Sequence, residues 1–203
     1  MLPFATFALF SFRNELKIVV GVFIFIFLLP LIGVVVLTNF GFQAVSDKLV
    51  TINATTNTVE IHNLDGTITS FTAVMSWPMA GVVTLEFGQP DPPYQLLHTG
   101  IDIADPQGQQ GDPIHPFAKG TVTFAGADNS GYGNYVVIDN GDHVSSLYGH
   151  MEQVATKVGA TVDANDVIGY EGETGNATGP HVHFQIEVFG IPVNPRTFVS
   201  GNP

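Results

Sequence analysis

The sequence of 203 residues predicts an all-β domain with antiparallel strands, preceded by one N-terminal transmembrane helix. Residues 18–38 are apolar and carry no charged side chain. From Trp77 onward, short β-prone runs are separated by Gly, Pro, Asn and Asp at intervals of about 8–12 residues, as in all-β proteins. The chain also lacks cysteine, which excludes a disulfide framework, thiol catalysis and cysteine-type zinc sites.

The apolar segment, residues 18–38, has the length of a transmembrane helix. A helix rises about 1.5 Å per residue, so about twenty residues cover the roughly 30 Å of a bilayer's hydrocarbon core. Pro30 can kink this helix, and lipid tolerates such a kink. A signal peptide usually has an apolar core of roughly 7–15 residues and a small-x-small cleavage site. Phe42-Gln43-Ala44 is a poor site of that kind, so the sequence favours an uncleaved anchor over a signal peptide or a buried core helix.

The flanking charges predict the orientation of the anchor and the remaining domain boundaries. Arg13 and Lys17 precede the apolar segment, so residues 1–17 are expected in the cytoplasm and the C-terminal part outside it, on the periplasmic or cell-wall side. Residues 39–76, rich in Thr and Asn, are predicted to form a stalk with a small hairpin that turns at Asp65-Gly66. Residues 77–203 are predicted to form the main domain.

The charge balance restricts the partners of this domain. The chain has 18 acidic and 6 basic residues, a net charge of −12, and only 12% of its residues are charged. A nucleic-acid partner is excluded, because phosphate binding needs Lys and Arg. A metal ion or a cationic polymer suits the balance, although the acidity can also serve solubility alone.

Residues 179–188, Gly-Pro-His-Val-His-Phe-Gln-Ile-Glu-Val, alternate between polar and apolar side chains without interruption. In a strand, alternate side chains share a face. His181, His183, Gln185 and Glu187 therefore lie on one face, opposite four apolar residues. A lone H-x-H motif is more often structural or accidental, but two imidazoles on one face can converge on one ion or one substrate atom.

A second motif, His98-Thr-Gly-Ile-Asp102, also places its two polar residues on one face of a strand. His and a carboxylate suit Zn²⁺, and one further His makes three protein ligands with an open fourth position, as in catalytic zinc sites. His150, which follows a β-prone run, is a candidate general base or transition-state stabiliser. Structural roles are expected for the other domain histidines and for His62, and a packing role for Tyr148.

At these residues the chain resembles the lysostaphin/LytM-type zinc endopeptidases, family 23 of the metallopeptidases. The resemblance extends from about Trp77 to Phe198. It is carried by five runs: His98–Ala104, Gly120–Gly126, Gly131–Ile138, Leu147–Met151 and Gly172–Phe184.

The resemblance implies a twisted antiparallel β-sheet with a narrow groove between loops. It also implies a zinc site of His98, Asp102 and His183 with water in the fourth place, and catalytic rather than ligand roles for His150 and His181. Members of the family typically cut stem or cross-bridge peptides of bacterial peptidoglycan. Gln185 departs from the pattern, because Glu is common at that position.

The sequence therefore predicts a membrane-anchored zinc endopeptidase with peptidoglycan as its substrate. The alternative is a non-catalytic LytM-like module that activates a cell-wall amidase or serves as a scaffold. Such a module has typically lost the site residues, and this chain retains all five. Cell-wall growth, secretion, conjugation and phage machinery are all compatible contexts, and the residues do not choose among them.

Overall fold

The structure, a computed structural model, describes residues 16–17 and 19–203. The predicted cytoplasmic segment therefore lies almost wholly outside the described residues. The chain divides into two compact units, the second of which is Phe42–Pro203. Within the described residues, one helix, Val19–Leu49, is long and apolar enough to cross a membrane. Most of its apolar side chains are exposed, including Leu37 at 73% and Phe40 at 76%, whereas Leu49 at its C-terminal end is buried.

Two features of this helix follow from its sequence. Its Ile24–Leu28 segment is π-helical and is followed by the α-helix α1, Leu29–Leu49. Pro30 has no N–H to donate to the carbonyl four residues earlier, and the wider π-turn accommodates this loss, with the Leu29 N–H bonded to the Ile24 carbonyl. The helix ends at Leu49, so it includes residues 39–49, which were expected in the stalk.

The rest of the expected stalk forms a three-stranded antiparallel sheet, with β1 at Val50–Ile52, β2 at Val59–His62 and β3 at Ile68–Phe71. β2 and β3 form the hairpin expected from the sequence, and Gly66 in its turn has a φ of +86°, which glycine adopts readily. The inward residues of this sheet belong to the same hydrophobic core as the main domain. The compact unit thus begins well before residue 77, because these strands bury apolar side chains against it.

The main sheet is antiparallel and contains β4 (Val82–Leu85), β5 (Ile101–Ala104), β7 (Gly120–Ala127), β8 (Asn134–Gly141), β9 (Val144–Met151), β11 (Thr161–Val162), β13 (Val182–Val188) and β14 (Ile191–Val193). Its strand order is β11-β7-β8-β9-β13-β5-β4, with β14 paired to β13. A smaller sheet joins β6 (Pro113–Ile114), β10 (Gln153–Val154) and β12 (Gly169–Tyr170), and a 3-10 turn, Pro195–Thr197, follows β14. This architecture confirms the predicted all-β antiparallel class.

Strand β13 lies inside the main sheet and separates the apolar core from the polar face. Its residues Val182, Phe184, Ile186 and Val188 are all fully buried. The Phe184 ring lies 5.6–5.8 Å from the rings of Tyr148 and Phe117, distances at which aromatic rings pack favourably. The hydroxyl of Tyr148 donates to Ser146 and accepts from the Phe117 N–H, so Tyr148 is a core residue, as expected.

Candidate metal centre and groove

His98, Asp102 and His183 meet on the polar face of the main sheet. Their donor atoms form a triangle: His98 Nε2 and His183 Nδ1 are 2.9 Å apart, and each is 3.0 Å from Asp102 Oδ1. In the register of β5 and β13, His183 lies opposite Asp102, so strand pairing brings two of the three donor residues together. These three residues form a group able to hold a metal ion within the part of the chain that the structure describes.

His98 reaches the triangle from outside a strand, because β5 begins only at Ile101. Its backbone N–H donates to the Gln89 carbonyl at 2.7 Å, and its carbonyl accepts from the Gly88 N–H at 2.8 Å. The side chain is 1% exposed. The sequence thus correctly paired His98 with Asp102, although the shared strand that it predicted begins three residues later.

Gly100 makes room for the third corner of the triangle. A Cβ at this position would lie 2.5 Å from the Phe184 carbonyl oxygen and 2.9 Å from Cε1 and Nε2 of His183. Only a residue without a side chain fits between the His183 ring and the backbone of β13.

The electrostatics of the triangle favour an ionised carboxylate. Burial raises the pKa of Asp102, but the hydrogen bonds and charges of His183 and His98 outweigh burial and hold that pKa well below its usual range. The partly buried carboxylate and the two buried imidazole nitrogens around it offer a negative site to a cation.

The donor set fits zinc. Tetrahedral zinc sites commonly combine His nitrogens at about 2.0–2.1 Å with a carboxylate oxygen, which places adjacent donors roughly 3.3 Å apart. The 2.9–3.0 Å separations in the triangle are close to this spacing. Three protein donors leave a fourth position open, as catalytic zinc sites do.

His150 and His181 lie beside the triangle. Their ring centroids are 4.7 Å apart, and Nε2 of His181 is 3.6 Å from Asp102 Oδ2. His150 is the penultimate residue of β9, and His181 immediately precedes β13. All five residues singled out by the sequence therefore meet in one place.

Backbone carbonyls fix the orientation of these two rings. Nδ1 of His150 is 2.8 Å from the Thr174 oxygen, and Nδ1 of His181 is 2.8 Å from the Gly179 oxygen. A carbonyl can only accept, so each Nδ1 carries the proton. In the neutral rings, the unprotonated atom is therefore Nε2.

Burial lowers the pKa of His150 to about 4, and the neighbouring His181 contributes to the same shift. The imidazole is therefore neutral near pH 7, and its Nε2 is available to accept a proton. The low pKa leaves Nε2 unprotonated but also makes this imidazole a weaker base than one whose pKa lies near 7.

The site lies in a groove of about 510 Å³. One wall is the rim segment, residues 91–95, a turn in which the N–H groups of Tyr94 and Gln95 both donate to the Asp91 carbonyl at 2.9–3.0 Å. Tyr132 and Thr178 also line the groove. All five site residues line it as well, so they are accessible to a molecule that enters the groove.

Sequence reasoning assigned no role to three residues that contact His183 or its neighbours. The Tyr132 ring lies 5.4 Å from the His183 ring, and Gln185 and Glu187 continue a chain of hydrogen bonds from His183 along β13. The alternation of residues 179–188 placed Gln185 and Glu187 on the correct face. Tyr132 lies in the run Gly131–Ile138, which contributes to the family resemblance, but no sequence pattern singled it out.

The remaining histidines lie away from the triangle. His62 bonds to the Thr51 hydroxyl at 2.8 Å, and His115 Nδ1 bonds to the Asp166 carbonyl at 2.9 Å. His143 stacks on Phe189 with a centroid distance of 4.4 Å. These contacts are structural, in agreement with the sequence prediction.

Comparison with known proteins supports the same reading. The profile of the family described as Peptidase family M23 matches residues 96–195, which include all five site residues. DD-carboxypeptidase/endopeptidase Mpg of Neisseria meningitidis is 44% identical over 107 residues, 53% of this chain and 24% of that relative. Murein hydrolase activator NlpD of Salmonella typhimurium is 32% identical over 154 residues, 74% of this chain and 39% of that relative. The chain thus matches about a quarter to two fifths of these relatives' length.

Two solved structures share the fold. The catalytic domain of lysostaphin from Staphylococcus simulans has a TM-score of 0.53 and 28% identity, covering 57% of this chain and 90% of that one. A mutant catalytic domain of the prophage-encoded M23 protein EnpA from Enterococcus faecalis has a TM-score of 0.52 and 34% identity, covering 62% and 98%. These findings confirm the resemblance seen in the sequence. The chain belongs to peptidase family M23, a family of peptidoglycan hydrolases.

Proposed function

We propose that this chain is a membrane-anchored zinc metalloendopeptidase that hydrolyses peptide bonds in the stem or cross-bridge peptides of peptidoglycan. The observation that carries the proposal is the donor triangle of His98, Asp102 and His183, with His150 and His181 beside it. Family membership supports the substrate class, and the name of the Neisseria relative favours a D,D-peptide bond.

His98, Asp102 and His183 would hold the zinc ion. When bound, zinc supplies a Lewis acid that polarises the scissile carbonyl and acidifies a water molecule. His150 and His181 each face the site with Nε2, because their Nδ1 atoms donate to backbone carbonyls. One Nε2 would take a proton from the attacking water and deliver it to the nitrogen of the departing amine as the amide bond breaks. The other Nε2, when protonated from solvent, would stabilise the negative charge that develops on the carbonyl oxygen.

The test is metal analysis combined with digestion of purified peptidoglycan, with and without chelator. We expect one zinc per chain, and cleavage that chelator abolishes and added zinc restores. His183→Ala and Asp102→Ala are expected to lose zinc and hydrolysis together. His181→Ala is expected to keep zinc while hydrolysis falls about 10²–10⁴-fold, the usual contribution of general acid–base catalysis. His115→Ala, remote from the site, is the matched control, and near-wild-type cleavage by His181→Ala would contradict the assigned role.

The bond that is cut can be identified by mass spectrometry of fragments released from cell walls with different cross-bridges. Glycyl and D-alanyl bonds give fragments of different mass. We expect D,D-cleavage. Release of glycyl fragments alone would contradict this expectation but would leave peptidoglycan endopeptidase activity intact.

A second candidate function is activation of a cell-wall amidase or a scaffold role, which the similarity to NlpD favours. The chain retains both histidines and the carboxylate of the donor triangle, together with the two flanking histidines. This complete set favours the enzyme instead. The two functions separate in one assay, in which the chain is added to peptidoglycan with and without a purified amidase. An increase in cleavage only when the amidase is present would favour the activator.

The membrane anchor and its orientation belong to the same proposal. Residues 18–38 would cross the bilayer, with the N-terminus in the cytoplasm and residues 77–203 on the periplasmic or cell-wall side. The chain has no native cysteine, so a single Val158→Cys variant in the domain reports its side of the membrane directly. Val158 is 61% exposed. We expect labelling by a membrane-impermeant maleimide in intact cells, and labelling only after lysis would contradict the orientation.

A further inference from the structure

We propose that Gln185 and Glu187 are positioning residues for the metal centre. Their hydrogen-bonded chain places an acceptor beside Nε2 of His183, and so it stabilises the form of the ring that carries its proton on Nε2 and offers the Nδ1 lone pair to the metal. This inference rests on the proposed zinc site and deepens it, because it names the residues that prepare one ligand for binding.

The chain of hydrogen bonds begins at Glu187. The amide nitrogen of Gln185 donates to Glu187 Oε1 at 2.7 Å. A carboxylate can only accept, so this contact forces the NH₂ end of the amide toward Glu187 and the carbonyl end away from it. Gln185 is 2% exposed, so solvent offers the amide little alternative.

The carbonyl end of the amide then gives His183 Nε2 an acceptor. Gln185 Oε1 is 3.3 Å from His183 Nε2, and it also accepts from the Tyr132 hydroxyl at 3.3 Å. Because Oε1 can only accept, this contact favours a ring that carries its proton on Nε2. In the metal-free chain Asp102 Oδ1, 3.0 Å from Nδ1, competes for the same proton, and a metal bound at Nδ1 removes that competition. A neutral imidazole has one N–H, so a ring that donates from Nε2 keeps its lone pair on Nδ1, the atom in the donor triangle.

The amide at position 185 performs a task that a carboxylate could not perform alone here. A Glu at this position would face Glu187 across a distance of about 2.7 Å, where like charges repel strongly. The amide instead accepts from His183 and donates to Glu187. In many proteins a carboxylate bonds directly to a metal-bound histidine and orients it. Here the carboxylate of Glu187 acts on His183 through one intervening residue, Gln185.

The experiment measures zinc affinity of the detergent-solubilised full chain by competition with a chelator. Loss of an outer hydrogen-bond partner typically weakens metal binding 10–100-fold. We expect zinc to bind about 10-fold more weakly to Glu187→Gln, because the Gln185 amide is then free to flip. We expect a loss closer to 100-fold for Gln185→Met, which removes the acceptor.

A reciprocal exchange distinguishes positioning from packing. In the double variant Gln185→Glu with Glu187→Gln, a carboxylate accepts from His183 and an amide donates to that carboxylate. We expect zinc affinity within about 3-fold of wild type, a recovery of most of the 10–100-fold loss. The matched control is Glu60→Gln, which removes a remote amide–carboxylate bond of the same 2.7 Å length, from Asn53. Equal affinity of Glu187→Gln and wild type, or failure of the exchange to restore binding, would overturn the inference.

A second readout does not depend on zinc. In the metal-free chain, ¹⁵N resonances of the histidine rings report which nitrogen is protonated. Asp102 and Gln185 compete for the proton of the neutral His183 ring. We expect the Nε2-protonated share of this ring to be larger in wild type than in Glu187→Gln. A wild-type chain that binds no zinc would overturn the proposed function, whereas an equal share in both chains would overturn the present inference.

Discussion

Substitution of Gly100 by Ala is expected to disrupt the metal centre through one methyl group. The added Cβ would lie 2.5 Å from the Phe184 oxygen and 2.9 Å from two atoms of the His183 ring, whereas ordinary contact begins at 3.4 Å. In a close-packed interior, the ring must therefore retreat by about 0.5 Å and the backbone of β13 by about 0.9 Å. Metal ligands must be held within about 0.5 Å of their productive positions, so we expect zinc affinity to fall about 10–100-fold.

Stability should fall as well, by about 1–3 kcal/mol, the usual cost of overpacking. The assay is chelator competition for zinc, together with denaturant unfolding of the metal-free chain. Gly120→Ala is the matched control. Gly120 lies on β7, outside the groove, and a Cβ at this position would also meet a backbone carbonyl, that of Asp139. It is expected to lose stability and keep zinc affinity. Wild-type zinc affinity in Gly100→Ala would refute the reasoning.

Three further predictions concern the domain itself. Burial raises the pKa of the fully buried Glu171, and Oε2 of this carboxyl has no hydrogen-bond partner. The folded chain therefore favours the protonated carboxyl, and the free energy of unfolding falls as pH rises above the ordinary pKa of 4.5. Glu171→Gln should therefore raise the free energy of unfolding at pH 7.5 by about 1–3 kcal/mol and give no gain at pH 4, whereas equal gains at both pH values would contradict this. Phe184→Ala should lower the free energy of unfolding by about 3–5 kcal/mol in urea denaturation, and a loss below 1 kcal/mol would show that the core does not depend on this ring. Arg196→Met removes a partly exposed ion pair with Glu86 and should cost at most about 1 kcal/mol in denaturant unfolding, less at high salt, while a larger loss would contradict the solvent screening assumed here.

The polar and apolar faces of β13 could be predicted from sequence, because strand alternation is a local property. Val182, Phe184, Ile186 and Val188 are all fully buried, as the alternation requires. Convergence of five site residues was also predicted, but through family resemblance. The distances within the triangle depend on pairing between β5 and β13, in which His183 contacts a residue 81 positions earlier. No local pattern determines such a register.

Other features were not predictable for similar reasons. Helix α1 continues to Leu49, and the sheet of β1–β3 joins the core of the domain, because tertiary burial of apolar residues such as Ile61 and Phe71 outweighs a local composition typical of a stalk. The acceptor beside His183 Nε2 is held by two side chains whose chemistry is visible in the sequence but whose hydrogen bonds are not. The sequence offered two signals for Gln185, which are its place on the polar face of β13 and its departure from the family pattern.

The rim segment, residues 91–95, has a consequence for protein engineering. Its turn is closed by its own backbone hydrogen bonds, and it contributes no atom to the donor triangle. That part of the groove wall and the donor triangle are therefore built from separate pieces of chain. Under the proposed function, exchange of residues 91–95 for a segment of equal length offers a way to change which peptides are accepted without redesigning the proposed zinc ligands.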